Sequence, residues 1–119
     1  MKKVYYLKSC STCQRILKEV NAEAEGFEMQ NIKEEAITEN QLNEMRDLAG
    51  SFESLFSKKS MKYRAWNLHE KSLSEDDMKN YILKEYTFLK RPVFILNDAI
   101  FIGNSKKVVA DLKNTLSKK

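Results

Sequence analysis

The chain has 119 residues, which is long enough to bury a hydrophobic core in one domain without disulfide bonds or metal ions. Hydrophobic residues make up 42% of it and only one residue is proline, so the composition excludes a disordered chain and favours an ordered globular one. The formal net charge of +4 is a mild excess, compatible with an anionic substrate or partner without requiring one.

The sequence offers no targeting or membrane segment. The apolar run from Val4 to Leu7 is too short for the hydrophobic region of a signal peptide. No stretch approaches the roughly 20 apolar residues that a membrane-spanning helix needs. Two cysteines are also too few for the disulfide framework of a secreted domain. We therefore expect the protein to be cytoplasmic, where thiols are kept reduced.

The start of the chain predicts a strand, a helix and a second strand. Lys3 to Leu7 is a β-branched and aromatic run, which is typical of a strand buried on both faces. Apolar residues then recur at helical spacing from about Thr12 to Glu25, and Gly26 ends this helix. Phe27 to Ile32 alternates as a strand does. This order, over this length, predicts a βαβ unit with a parallel pair of strands.

The middle of the chain, about residues 38–89, predicts a helical segment without a strand. Two capping-box patterns, in which a side chain at each end satisfies a free backbone N–H, mark helix starts. They are Thr38-x-x-Gln41, opening a helix that ends at Gly50, and Ser72-x-x-Glu75, opening a helix that runs to about Tyr86. Between these helices we predict two shorter elements, a helix over Ser51 to Phe56 and another element within Lys58 to Leu68.

The end of the chain predicts a hairpin followed by a helix. Pro92 to Leu96 is strongly β in character, and Asn97-Asp98 suits a tight turn into a strand over Ala99 to Ile102. Gly103-Asn104-Ser105 then begins the last helix. The whole order is β-α-β, a helical segment, then β-β-α. It predicts a single α/β domain with a thioredoxin-like fold and a helical insertion between its two halves.

Both cysteines lie at the first strand-to-helix junction, in the sequence Lys8-Ser9-Cys10-Ser11-Thr12-Cys13-Gln14-Arg15. A cysteine at the start of a helix faces free backbone N–H groups and the positive end of the helix dipole, which favour the thiolate. Because the thiolate is the reactive form, this C-x-x-C predicts thiol–disulfide chemistry. Cys10, at the loop end, is the candidate nucleophile. Cys13, one turn later, is the candidate thiol that resolves a mixed disulfide on Cys10.

Other roles for the two cysteines are structural burial or half of a zinc site. A zinc site needs two further ligands, and the chain has one histidine, His69, and no third cysteine. We therefore predict no metal. A C-x(5)-R phosphatase loop is excluded because Ile16 stands where the arginine is required. His69 lies beside charged residues, which favours a solvated helix end over a catalytic base.

A basic cluster in the middle of the chain raises the question of nucleic-acid binding. It consists of four cations interleaved with two aromatic residues: Lys58, Lys59, Lys62 and Arg64, with Tyr63 and Trp66. Such a set can contact phosphates and stack on bases. The charge is not concentrated enough to stand out, so direct nucleic-acid binding is not expected and the aromatic residues are predicted to pack in the core.

The sequence resembles the ArsC family, which includes glutaredoxin-dependent arsenate reductases and Spx-type regulators. The resemblance covers essentially the whole chain and is carried by three segments: Tyr6 to Arg15, Ser57-Lys58-Lys59-Ser60-x-x-Tyr63-Arg64, and Leu89-Lys90-Arg91-Pro92-Val93. It implies that Cys10 is the catalytic thiol and that Arg91 stabilises an oxyanion or thiolate. Arginine suits that role because its planar group is permanently charged. A thioredoxin-like fold also places a cis-proline loop beside its C-x-x-C, and here that loop is Arg91-Pro92.

Six further residues are candidates for binding the substrate. They are Ser11, Thr12, Arg15, Arg64, Pro92 and Asn104. The chain departs from the arsenate reductases in two ways: it has Gly103-Asn104 where they carry a third arginine, and it has a second cysteine, Cys13, within reach of the first. Both departures weaken arsenate reduction as the function.

The sequence therefore predicts a cytosolic thiol–disulfide oxidoreductase acting on glutathione or protein thiols. Glutathione or a thioredoxin or glutaredoxin system would act as the reductant, with no metal or organic cofactor. One alternative is an Spx-like regulator that contacts RNA polymerase and uses Cys10 and Cys13 as an oxidation switch. A further alternative is arsenate reduction despite Asn104.

Overall fold

A computed structural model describes residues 1–118 of the chain. It has four strands and five α-helices: β1 (Lys2–Tyr6), α1 (Ser11–Glu19), β2 (Glu28–Asn31), α2 (Glu39–Ala49), α3 (Met61–Ala65), α4 (Glu75–Lys84), β3 (Val93–Leu96), β4 (Ala99–Ile102) and α5 (Lys106–Ser117). Short 3₁₀ turns cover Leu68–Glu70 and Tyr86–Phe88. The order β-α-β, helices, β-β-α is the predicted one. None of these helices is long and apolar enough to cross a membrane.

The described chain divides into two compact units. The first comprises Met1–Glu35 and the segment from Arg91 onwards, and we call it the cysteine unit because it holds both cysteines. The second, Ala36–Lys90, is called the helical unit. Its extent is close to that of the predicted insertion, about residues 38–89. The organisation of the chain as one domain stays a prediction.

The sheet of the cysteine unit has the strand order β2-β1-β3-β4. β1 is parallel to β2 and antiparallel to β3, and β3 is antiparallel to β4. Val4 pairs with Met29 on one side and Phe94 on the other, and Phe94 pairs with Phe101. Paired side chains share one face of a sheet, and this row packs with apolar residues of α1 and α5 in one core. The core fixes α1, and with it the cysteines, on the sheet.

Helix α1 ends at Glu19, well before the predicted end near Glu25. Asn21 adopts a left-handed backbone conformation, with φ of 53°. The N–H groups of Asn21 and Ala22 then donate to carbonyls of the last helical turn, at 3.1 and 3.0 Å. These are the two bonds of a Schellman motif. Asparagine tolerates this conformation, so it stops the helix before Gly26 is reached.

Helix α2 of the helical unit begins and ends as predicted. Its capping box is complete, since the Gln41 N–H donates to Thr38 Oγ1 and the Thr38 N–H donates to Gln41 Oε1, each at 3.1 Å. The helix ends at Gly50, where φ of 94° requires the left-handed conformation that glycine adopts without a steric penalty.

The helix predicted over Ser51 to Phe56 is wrong, because this segment forms two consecutive turns. After the turns, Phe56 pairs with Leu89 in an isolated antiparallel bridge. The Ser57 N–H donates to the Phe88 carbonyl at 2.7 Å on the same side. This long-range pairing requires an extended backbone, which a helix cannot supply.

The capping box predicted at Ser72 is also wrong, because α4 is capped two residues later. Ser74 Oγ accepts from the Asp77 N–H at 3.1 Å and the Asp77 side chain accepts from the Ser74 N–H at 2.9 Å. The Glu75 carboxylate, assigned to the predicted box, instead accepts the N–H groups of Phe52 and Glu53 at 2.7 and 3.0 Å. The Glu75 carboxylate thus stabilises a turn that lies far from it in the sequence of the helical unit.

Candidate active site

The loop between β1 and α1 presents Cys10 at the start of the helix. Cys10 is the N-cap residue of α1, with an extended backbone, and its N–H donates to the Leu7 carbonyl at 3.0 Å. The first turn of α1 contains no acidic residue. The free N–H groups and the positive end of the helix dipole therefore act on the Cys10 sulfur without a competing carboxylate.

The two cysteines are free thiols with different exposure. Cys10 is half-buried, whereas Cys13, on the first turn of α1, has no exposed surface. The Cys13 thiol acts as a donor towards the Cys10 sulfur, which lowers the pKa of Cys10 and raises that of Cys13. The site therefore has an accessible sulfur and, in contact with it, a buried one.

The pKa of Cys10 is held below its ordinary value. Burial is the largest single influence and acts to raise this pKa, but four lowering influences together outweigh it. In order of size they are the hydrogen bond from the Cys13 backbone, the hydrogen bond from the Cys13 thiol, the hydrogen bond from the Thr12 backbone, and the charge of Arg91. All four favour the thiolate, which is the reactive form.

The pKa of Cys13 is raised to about 11, chiefly by burial. The negative charge of Cys10 and the hydrogen bond to its sulfur raise it further, while a backbone hydrogen bond from Leu7 and the charge of Arg91 oppose the shift. Cys13 is therefore a neutral thiol at pH 7. The opposite shifts of the two cysteines support Cys10 as the nucleophile and Cys13 as the thiol that acts second.

Arg91 and Pro92 enter the site from the start of β3. The Arg91-Pro92 bond is cis, as expected for the proline loop of this fold. Pro92 is buried, and its carbonyl accepts the Gly103 N–H at 2.9 Å. Arg91 is half-buried, and its charge acts on both thiols. This places a permanent cation where negative charge develops on sulfur.

Two side chains that sequence reasoning missed hold the active loop through Lys8. The Lys8 N–H donates to Asn31 Oδ1 at 3.3 Å, and Gln14 Nε2 donates to the Lys8 carbonyl at 2.8 Å. Asn31 belongs to β2 and Gln14 to α1, so hydrogen bonds join the loop to both of these elements. Gln14 follows the C-x-x-C directly, but no sequence signal marks Asn31.

The remaining candidate residues of the cysteine unit lie around α1 and α5. Ser11 is exposed and Thr12 half-buried, both in the first turn of α1. Arg15 is exposed and pairs with Glu19, with Nη1 at 3.6 Å from the carboxylate. Asn104 is exposed in the loop before α5, and it lines the same groove as Arg15.

The candidates of the middle segment belong to the helical unit. Arg64 lies in α3 with an exposed side chain. Trp66 is half-buried, with its ring centroid 5.5 Å from that of the buried Phe88, and Tyr63 packs against Phe56 at 6.1 Å. These aromatic residues lie in the packing of the helical unit. His69 is exposed in the 3₁₀ turn and lies 3.9 Å from the Glu70 carboxylate.

Residues 1–118 contain no group of three or more histidine, cysteine, aspartate or glutamate side chains arranged to hold a metal ion. The groups that act on the sulfur atoms of the site are the two thiols themselves, the backbone N–H groups at the start of α1 and the Arg91 guanidinium.

Solved structures of similar architecture come from several bacteria. An arsenate reductase from Vibrio cholerae is 17% identical, with 92% of this chain and 95% of that chain aligned at a TM-score of 0.78. A protein from Streptococcus mutans UA159, described as a possible arsenate reductase, is 24% identical over 94% and 97% at a TM-score of 0.75. A Staphylococcus aureus COL protein is 25% identical over 93% and 97%, also at 0.75. These likenesses confirm the α/β fold with a thioredoxin-like arrangement.

No curated protein sequence matches the chain. The family model of the ArsC family matches residues 5–112. That range runs from β1 to α5 and includes the C-x-x-C, the helical unit and the cis-proline loop. The chain belongs to the ArsC family.

Proposed function

We propose that this chain is a thiol-dependent reductase that acts on disulfides, with Cys10 as its nucleophile. One observation carries the proposal. Cys10 lies at the N-cap of α1, where the influence of the backbone N–H groups of Cys13 and Thr12, the Cys13 thiol and the charge of Arg91 outweighs burial and lowers its pKa. A nucleophilic cysteine requires a lowered pKa because its thiolate is the reactive form. A cysteine that only fills space in a core does not require one.

In the first step, the Cys10 thiolate attacks one sulfur of a substrate disulfide. A bond forms between Cys10 and that sulfur, and the substrate's own S–S bond breaks. The second substrate sulfur leaves as a thiolate and takes a proton from water. Arg91 stabilises the negative charge that is shared by the three sulfur atoms during this exchange.

In the second step, Cys13 resolves the mixed disulfide. Once Cys10 is bonded to the substrate, it no longer carries the charge or accepts the hydrogen bond that raise the pKa of Cys13. The backbone of Leu7 and the charge of Arg91 still act to lower that pKa. Cys13 then loses its proton, attacks the Cys10 sulfur and releases the substrate as a thiol, which leaves a Cys10–Cys13 disulfide. Glutathione or a cytoplasmic thioredoxin or glutaredoxin system returns both cysteines to thiols by supplying two electrons.

The test is steady turnover of a small disulfide with glutathione, glutathione reductase and NADPH present. We expect turnover that disappears in Cys10→Ser. In Cys13→Ser we expect a mixed disulfide on Cys10, detectable by mass spectrometry. Turnover retained in Cys10→Ser would refute the assignment. A protein that is oxidised only once per chain and co-purifies with RNA polymerase subunits would support the Spx-like regulator instead.

Arsenate reduction is the second candidate, and the position of Arg91 favours it. The charge of Arg91 acts on the Cys10 thiolate, so an oxyanion bonded to Cys10 would lie beside a guanidinium suited to bind it. Asn104, at the place where the resemblance expects a third arginine, supplies no charge. Oxidation of glutathione that depends on added arsenate would establish this reaction, and its absence would remove it.

A further inference from the structure

The net positive charge of the chain is confined to the cysteine unit. Its residue ranges contain twelve lysines and arginines and eight aspartates and glutamates, whereas the helical unit contains nine of each. Most of the excess comes from the segment that follows Arg91. The unit that holds Cys10 is therefore the one whose field attracts an anionic partner.

Some of these charged residues line a groove between α1 and α5. The groove has a volume of about 330 Å³, and Arg15, Lys106 and Lys113 contribute three cations to it against one carboxylate, Glu19. Glu19 is shared by two of them, at 3.6 Å from Arg15 Nη1 and 3.4 Å from Lys113 Nζ. Within the described chain, Lys106 forms no ion pair. The groove thus keeps a net charge that its own side chains do not neutralise.

One residue that lines the groove, Arg15, lies on the helix that Cys10 caps. Arg15 follows Cys10 by five residues along the start of α1, which corresponds to about 7–8 Å along a helix axis. An extended peptide covers that distance in about two or three residues. A partner whose disulfide reaches Cys10 and whose chain follows α1 can therefore bring a side chain two to four positions away to the end of the groove marked by Arg15, which Lys106 also lines.

We propose that the groove between α1 and α5 docks an acidic peptide segment of a partner protein. It would thereby select disulfides that carry aspartate or glutamate two to four residues from the reacting cysteine. This inference rests on the proposed function, because docking matters only if Cys10 attacks the partner's disulfide. Exposed cations of this kind act mainly on the rate of association, and their effect weakens as salt is added.

The test uses synthetic peptides in which one cysteine is joined by a disulfide to 5-thio-2-nitrobenzoate. Cys10 attacks the peptide sulfur, a Cys10–peptide disulfide forms, and the electron pair of the broken bond leaves on the coloured thionitrobenzoate anion. An acidic peptide has glutamate two and four positions from the cysteine, and a neutral one has glutamine there. The ratio of their second-order rate constants measures selectivity, and it cancels changes in the reactivity of Cys10 itself.

We expect the acidic peptide to react about five- to tenfold faster at low ionic strength, and the ratio to approach one at about 0.5 M salt. Lys106→Glu should remove the preference, and it places a carboxylate in the first turn of α5, where the helix dipole favours it. Lys33→Glu is the matched control, since Lys33 is exposed in the same unit and does not line the groove. It should leave the ratio within about twofold of the unmodified protein.

Two results would overturn the docking proposal while leaving the proposed function standing. The first is equal reaction of both peptides, and the second is an acidic preference that Lys106→Glu does not change. If both peptides react alike and oxidised glutathione reacts faster than oxidised glutathione with its carboxylates esterified, the groove serves a small disulfide and not a peptide. Absence of reaction with every disulfide, under conditions in which Cys10 is alkylated, would instead refute the proposed function.

Discussion

Removing Cys10 should make Cys13 more reactive, although Cys10 is the better nucleophile of the two. Burial, the Cys10 charge and the hydrogen bond to its sulfur raise the pKa of Cys13 to about 11. At pH 7, about one Cys13 side chain in ten thousand is therefore a thiolate. Iodoacetamide should label Cys10 first in the unmodified protein, and the label on Cys13 should appear much more slowly.

The size of the effect follows from the electrostatic interaction between the two cysteines. Two charges about 4 Å apart interact by about 4 kcal/mol in a medium of effective dielectric constant near 20, which is an upper limit here because Cys10 is partly exposed to water. We expect the Cys10 charge to disfavour the Cys13 thiolate by about 1.4–2.8 kcal/mol, which corresponds to a tenfold to hundredfold change in the thiolate fraction of Cys13. Burial still acts on Cys13 after the change and continues to oppose its ionisation.

The assay measures Cys13 alkylation by mass spectrometry in two variants. Cys10→Ala removes the charge and the acceptor, so Cys13 should react about tenfold to hundredfold faster than in the unmodified protein. Cys10→Asp keeps a negative charge at the same position in a side chain about as large as cysteine, so Cys13 should stay slow. Equal rates in the two variants would show that the charge at position 10 does not control Cys13, and would refute the account of the second step.

Three further predictions concern the surroundings of the cysteines and the helical unit. Arg91→Met should move the pH profile of Cys10 alkylation to higher pH, because the guanidinium lowers the pKa of that thiol; an unmoved profile would contradict this. Glu75→Gln should lower the free energy of unfolding by about 1.5–3 kcal/mol in urea titrations, since its carboxylate accepts two backbone N–H groups, whereas Asp76→Asn in the same helical turn should cost less than about 0.5 kcal/mol. Gln14→Met should cost about 0.5–1 kcal/mol and slow Cys10 alkylation at fixed pH, because the active loop loses a 2.8 Å hydrogen bond; unchanged alkylation would mean that this bond does not position Cys10.

The cysteine pair shows what a short stretch of sequence can determine. The C-x-x-C at a strand-to-helix junction places Cys10 at a helix start, and the N–H groups that lower its pKa come from Thr12 and Cys13, its own neighbours. The capping box at Thr38 is equally local and was predicted to the residue. Such features follow from sequence because the interacting groups lie within one helical turn of each other.

Features that join distant segments were decided by the tertiary structure alone. Asn31 meets Lys8 only because β2 pairs with β1. Arg91 was predicted beside the cysteines through the family resemblance, and no local pattern around Arg91 points to them; β3 brings it there by lying on the other side of β1. Glu75 was predicted to cap its own helix, but its carboxylate binds a turn more than twenty residues earlier. The sequence alone predicts which groups need a partner. Which partner each one finds depends on strand order and packing, because a hydrogen bond or charge effect acts over a few ångströms in space, regardless of separation along the chain.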